Sequence, residues 1–168
     1  MRHREGLMTE LTDKQSQIVT EPRIAVVSTI SAAGYPHQTS VWFAYDQGAF
    51  YLSIPSSSQK HINLSRNPKM SLLIDVRKTY EQYGFCVQGS GELLSGDDAA
   101  AIRSLVHERY ITKDALDDPN IGPFFANLDD AAVRLVPDRI FDWDMEALDQ
   151  QVFNGAMLAG QSFHEISF

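Results

Sequence analysis

The residues best suited to chemistry in this 168-residue chain stand together in "FYLSIPSSSQKHINLSRNP", residues 50–68. Pro55 disfavours a helical residue before it and so ends a strand. Ser56, Ser57 or Ser58 can then cap a helix that stops at Asn67-Pro68. A helix N-terminus offers unpaired N–H groups and a partial positive charge. Serine hydroxyls and Lys60 in its first turn make a site for an anion, a phosphate above all. The same residues also suit a plain cap with a solvated lysine, because serine is a favoured N-cap, and the pattern is less specific than a Walker loop. His61 either touches a phosphate beside Lys60 or stands exposed on the helix.

Acid–base and metal chemistry find less support. His37, His61, His107 and His164 are widely spaced, with no HxxxH or Cys/His pattern, which argues against a structural metal site. The acidic stretches "DALDDPN" and "NLDD" lack the EF-hand order and read as solvated caps. Cys86, in an apolar run, reads as an inert core thiol.

Short strands must position the serine–lysine stretch. Residues 9–20 read as a polar helix capped by Thr9. Residues 22–31 form a β-branched strand, and "AAGYP" turns the chain with Gly34 at positive φ. Residues 37–45, "HQTSVWFAY", make the second strand, "DQG" a hairpin turn and "AFYLSI" the third strand. Residues 69–76 and 83–94 follow as strands, the latter with a glycine-rich bend. A helix then runs to about Tyr110, with Ser95 and Asp97 placed to cap it. Residues 113–130 are helical or irregular, and 131–143 close the fold with one or two strands. Short turns imply antiparallel neighbours. The expected fold is mainly β with flanking helices, six or so antiparallel strands in a closed or nearly closed barrel. Its parts are an N-terminal helical segment (1–21), a barrel (22–144) and a C-terminal tail (145–168).

Composition narrows the partners. A net charge of −8 argues against nucleic acid or an anionic membrane as the main partner. A single cysteine excludes an internal disulfide framework and fits a reducing compartment. No apolar run is long enough to span a membrane, and the N-terminus lacks the apolar stretch of a signal peptide. A soluble, cytoplasmic protein is the expectation.

The pieces "IAVVSTISAAGYPHQTSVWFAYDQGAFYLSI", "SQKHINLSRNPKMSLLI" and "VQGSGELL" together resemble the pyridoxamine 5'-phosphate oxidase-like superfamily of split β-barrel flavoproteins. "VRLVPDRIFDWD" resembles the closing strands of its general-stress and deazaflavin-dependent branch. The resemblance covers about residues 17–144. It implies a homodimer with FMN, or a deazaflavin coenzyme, between subunits. It places cofactor contacts on Gln38, Thr39, Ser40, Val41 and Trp42 of the second strand, on Ser53 of the third, and on Ser57, Ser58, Gln59 and Lys60. Arg66, Arg77 and Lys78 are further cations for the phosphate. Trp42 either stacks on a ring or packs in the core. Basic positions of the oxidase proper fall here on Gln38 and Phe43, and its flavin-contacting arginine on Gln59, so the resemblance does not extend to true pyridoxamine 5'-phosphate oxidase activity. It leaves three classes of function: a flavin-type oxidoreductase acting on a small molecule, a non-catalytic flavin, haem or tetrapyrrole carrier or sensor, and a stress-related barrel without cofactor. Apolar Trp42, Phe43 and Phe85 are expected to be partly uncovered and to meet the partner subunit.

Overall fold

The computed structural model describes residues 9–78, 81–160, 162 and 164. The first eight residues of the expected helical segment fall outside that range, as does the side chain of Arg77.

Local chemistry explains the first elements. Thr12, not Thr9, caps α1 (Asp13–Thr20): its hydroxyl accepts from the Gln15 N–H, and the Gln15 side chain accepts from the Thr12 N–H. Strands β1 (Ala25–Ile30) and β2 (Pro36–Val41) are joined by the expected turn, with Gly34 at φ 83°. The second strand does not run on to residue 45. It breaks at Trp42-Phe43 and resumes as β3 (Ala44–Asp46). The Tyr110 hydroxyl causes the break. It accepts from the Phe43 N–H at 3.2 Å, and its proton faces the carbonyls of Arg23 and Phe43 at 2.6 and 3.1 Å. Gln47 and Gly48 both take positive φ, as a two-residue type I′ hairpin requires, and lead into β4 (Ala49–Pro55).

Helix α2 (Gln59–Arg66) follows, then the long strands β5 (Lys69–Lys78) and β6 (Glu81–Leu94). The remaining elements are α3 (Gly96–Tyr110), α4 (Lys113–Asp117), α5 (Gly122–Ala126), β7 (Asp130–Leu135), β8 (Arg139–Asp144), α6 (Met145–Phe153) and α7 (Ala156–Ala159). The sheet order is β2-β1-β5-β6-β7-β4-β3, with β8 also on β6 and every pairing antiparallel. Eight strands replace the expected six or so, because the second strand is broken and the closing segment makes two.

Strand β6 holds the two halves together. Its first part pairs with β5 and β8, and Gly91–Leu94 pair with β7. The bend between needs glycine. A Cβ at Gly89 would lie 2.5 Å from the Val136 carbonyl oxygen, and one at Gly91 would lie 2.5 Å from Met70 Sδ. The end strands β2 and β3 are consecutive in the chain. The sheet therefore curls into a barrel whose last seam is closed by the chain and not by a ladder.

The barrel is filled by cross-strand rows such as Val27, Leu72, Val87 and Ile140, all buried, together with Phe43, Phe50, Leu52, Phe85 and Leu135. Phe43 and Phe85 are completely inaccessible within one chain. The expectation that they are uncovered for a partner is therefore overturned. Phe43 turns inward at the break between β2 and β3, and Phe85 faces inward from β6, so neither reaches the surface. Helix α2 seals one end of the barrel with buried Leu64 and Asn63, and α3 packs on β4 and β7. Ser95 sits at the start of α3 but makes no capping hydrogen bond, while Asp97 and Asp98 complement the helix dipole.

The chain beyond the barrel begins with α6, capped by Asp144, whose carboxylate accepts from the N–H groups of Glu146 and Ala147 and pairs with Lys14 of α1 at 2.7 Å. Partial burial opposes ionisation of Asp144. The hydrogen bond from Lys14, the Ala147 N–H, the Lys14 charge and the Glu146 N–H outweigh it and hold its pKa below the ordinary 3.8. A carboxyl lowered on folding stabilises above its unfolded pKa, and that contribution is lost as pH falls through the folded value. Asp144→Ala is expected to cost about 1–2 kcal/mol at neutral pH, as cap and exposed ion pair together. Denaturant curves of the two proteins should converge as pH falls below the ordinary aspartate range and through the lowered pKa of Asp144. A gap that persists there would show that the carboxylate charge is not what stabilises α6.

Candidate functional site

Helix α2 begins where the sequence predicts it. Ser58 is its N-cap, and the Ser58 hydroxyl accepts from the His61 N–H at 3.4 Å, a long contact that leaves the oxygen open to a better partner. Ser57 is exposed. Ser56 is already engaged: its N–H and hydroxyl bond to the Asp129 carbonyl (3.0 Å) and carboxylate (2.5 Å). The three serines thus divide into one that ties the loop to the start of β7 and two at the helix mouth.

Lys60 is half-buried in the first turn of α2, and burial lowers its pKa. No ion pair or hydrogen bond to its ammonium is found among the described residues. Gln59 turns its amide back to Asn63 at 2.9 Å, and Asn63 donates to Thr29 of β1 at 3.0 Å. Asn63 and Thr29 are completely buried, so this relay fixes the pitch of α2 against β1. The further cations do not join the site. Arg66 lies six residues on, about 9 Å along the helix, and donates to the Ile30 carbonyl. Lys78, exposed at the end of β5, pairs with Glu81 at the start of β6 at 2.6 Å.

The β2 residues split by face. Gln38 and Ser40 are exposed, Val41 is buried against the core with only its backbone available, and Thr39 is half-buried on the inner face. Two inward atoms of β2, Thr39 Oγ1 and His37 Nδ1, are buried without a hydrogen-bond partner. Buried polar atoms are nearly always satisfied, so these two, like Arg23 Nε and Arg109 Nε, lack the partner that their burial calls for. His37 stands opposite Thr29, the residue that holds Asn63 of α2. The inner face of β2 and α2 are thereby linked through one buried contact. His37 was not singled out as a site residue from sequence. Its alternation with Thr39 along one face was the signal available. One face of Trp42 is taken: Tyr110 stacks on it at 4.9 Å and 4° between planes. Ser53 lies half-buried on β4, opposite Ala132 of β7.

Cys86 is half-buried and not fully in the core, with burial raising its pKa. Among the described residues no group of three His, Cys, Asp or Glu side chains could hold a metal ion, and no helix is long and apolar enough to cross a membrane.

A family model described as "Pyridoxamine 5'-phosphate oxidase" matches residues 11–144. No curated protein matches the chain. Among solved structures, a conserved hypothetical protein from Mycobacterium tuberculosis is similar over 100% of this chain and 97% of its own, with 24% identity and a TM-score of 0.70. The haem storage protein HutZ from Vibrio cholerae matches over 79% of this chain and 94% of its own, at 18% identity and TM-score 0.62. An F420 reductase matches over 77% and 98%, at 21% identity and TM-score 0.58. At these identities the likenesses establish the fold, the split barrel.

Proposed function

The chain belongs to the pyridoxamine 5'-phosphate oxidase family, and from that premise we propose that it is a flavin-binding oxidoreductase acting on a small molecule. The observation that carries this is the pair of unpartnered buried atoms on β2, Thr39 Oγ1 and His37 Nδ1, tied through Thr29 and Asn63 to a helix mouth with one unpaired lysine. These groups fit a molecule with a polar ring edge at one end and a phosphate at the other. Ser57, Ser58 and Lys60, with the first N–H groups of α2, hold the phosphate. Thr39 and His37 orient the ring edge, with the Val41 backbone beside them, while Gln38 and Ser40 stand on the opposite, exposed face of β2. The bound flavin supplies hydride or electron transfer, so no protein nucleophile is required. On this reading it is not a true pyridoxamine 5'-phosphate oxidase, because the resemblance puts the oxidase's basic positions on Phe43 and Gln59, and Phe43 is wholly inside the barrel.

A deazaflavin coenzyme is the second reading. One described cation balances a singly charged phosphate diester better than the nearly dianionic monoester of FMN. The discriminating experiment is absorption of the protein reconstituted with FMN, with a deazaflavin coenzyme and with haemin. Stoichiometric binding of FMN with perturbed flavin bands is expected. A Soret band alone, or no binding of either flavin type, overturns the oxidoreductase reading.

We also place a second copy of the chain over this site. Strand β2 pairs only with β1, and Gln38, Ser40 and Tyr35 stand exposed along it. Sedimentation at micromolar concentration should report a dimer, and a monomer would remove the partner from the site.

A further inference from the structure

A cleft of about 320 Å³ lies between α2 and α3 and takes Ser56 and His61 of the α2 turn into its wall, but not Ser58 or Lys60. That volume is at the lower end of the range for small-ligand sites. Three charged or titratable side chains line it from three elements: His61 on α2, Arg103 on α3 and Asp129 before β7. Ala99 and Ala100 make its floor on the α3 side, and their small size leaves the room.

Its charges are of both signs. Arg103 spends one N–H on the Leu128 carbonyl at 2.6 Å and keeps the rest of its guanidinium for a carboxylate. Asp129 accepts from Ser56 with one oxygen and has no ion-pair partner among the described residues. A simple anion would be set against Asp129, and a simple cation against Arg103. A ligand that carries both charges meets neither penalty. Asp97 and Asp98 stand in the first turn of α3, and together they outweigh the roughly half positive charge of the helix N-terminus. We propose that this cleft binds a small zwitterionic amino-carboxylate, its carboxylate on Arg103 and His61 and its ammonium on Asp129.

The test is an amide NMR titration of the full chain with L-alanine and L-leucine, and with acetate, methylammonium and inorganic phosphate as partial probes. Saturable shifts at His61, Gly96 and Ala100 are expected for the amino acids, with at least tenfold weaker binding of acetate and methylammonium. Ala100→Phe fills the cleft and should abolish the shifts while leaving the rest of the spectrum in place. Asp129→Asn should reduce amino-acid binding to the level of acetate. Phosphate that moves the same amides more strongly than the amino acids would assign the cleft to the phosphate subsite and overturn the proposal. So would the absence of any saturable shift, or an Ala100→Phe protein that binds as the parent does. The titration needs no flavin, so its failure is distinct from failure of the cofactor reading.

Discussion

Lys60→Ala is expected to weaken FMN or deazaflavin binding by about ten- to a hundredfold, measured by fluorescence titration at fixed salt. A charge-assisted hydrogen bond contributes about 1.5–3 kcal/mol, and each 1.4 kcal/mol is a factor of about ten. The structure puts Lys60 near the upper part of that range for two reasons. Its ammonium is half-buried, which strengthens any contact made there, and no described residue shares the phosphate charge with it. Arg66 lies about 9 Å further along α2 and Lys78 is paired with Glu81, so neither is placed to compensate. Stability should not fall with the substitution. Burial holds the folded pKa of Lys60 below its unfolded value, and a lysine lowered in this way opposes folding wherever it is charged. Equal affinities for the two proteins would mean that Ser57 and Ser58 are only a helix cap and that the phosphate lies elsewhere. Reduced stability with reduced affinity would point to a structural lysine instead.

Local rules carried the expectations that held. Gly34, the Gln47-Gly48 hairpin and a serine cap for α2 each depend on a few neighbouring residues, so the sequence alone showed them, though it left the cap open among Ser56, Ser57 and Ser58. Thr12 was legible too, since Thr12-x-x-Gln15 is a capping-box pattern, yet Thr9 stood equally well before the polar run. The break at Trp42-Phe43 was not legible. Its cause, the Tyr110 hydroxyl, lies 67 residues away, and nothing within "HQTSVWFAY" announces it. The Arg66 contact was not legible for a like reason: its partner is a carbonyl 36 residues earlier. The commitment of Gln59 to Asn63 was within reach, because residues four apart share a helix face. The unpartnered atoms on His37 and Thr39 need the register of β1 against β2, which depends on the whole barrel.

Phe85→Ala should destabilise the protein by about 3–5 kcal/mol, the cost of emptying a large aromatic site in a core. Phe85 is completely inaccessible, opposite buried Ile74 on β5 and beside the ring of Tyr83 at 6.5 Å. It lies on β6, the strand that belongs to both halves of the barrel, so little can collapse into the void without disturbing the Gly89–Gly91 bend. In a chain of this size the loss corresponds to a fall in melting temperature of about 6–20 °C. The outcome also decides between two places for the residue. A phenylalanine at a subunit interface would lose its packing whenever the dimer dissociates, so its contribution would depend on protein concentration. One inside the barrel contributes equally to monomer and dimer. Chemical denaturation at two concentrations tenfold apart should therefore give the same difference between Phe85→Ala and parent. A difference that shrinks on dilution, or one below about 1 kcal/mol, would return Phe85 to the surface between subunits. Flavin affinity of the folded variant should stay near that of the parent, because Phe85 touches none of the groups at the mouth of α2. That separates packing of the barrel from the chemistry it positions.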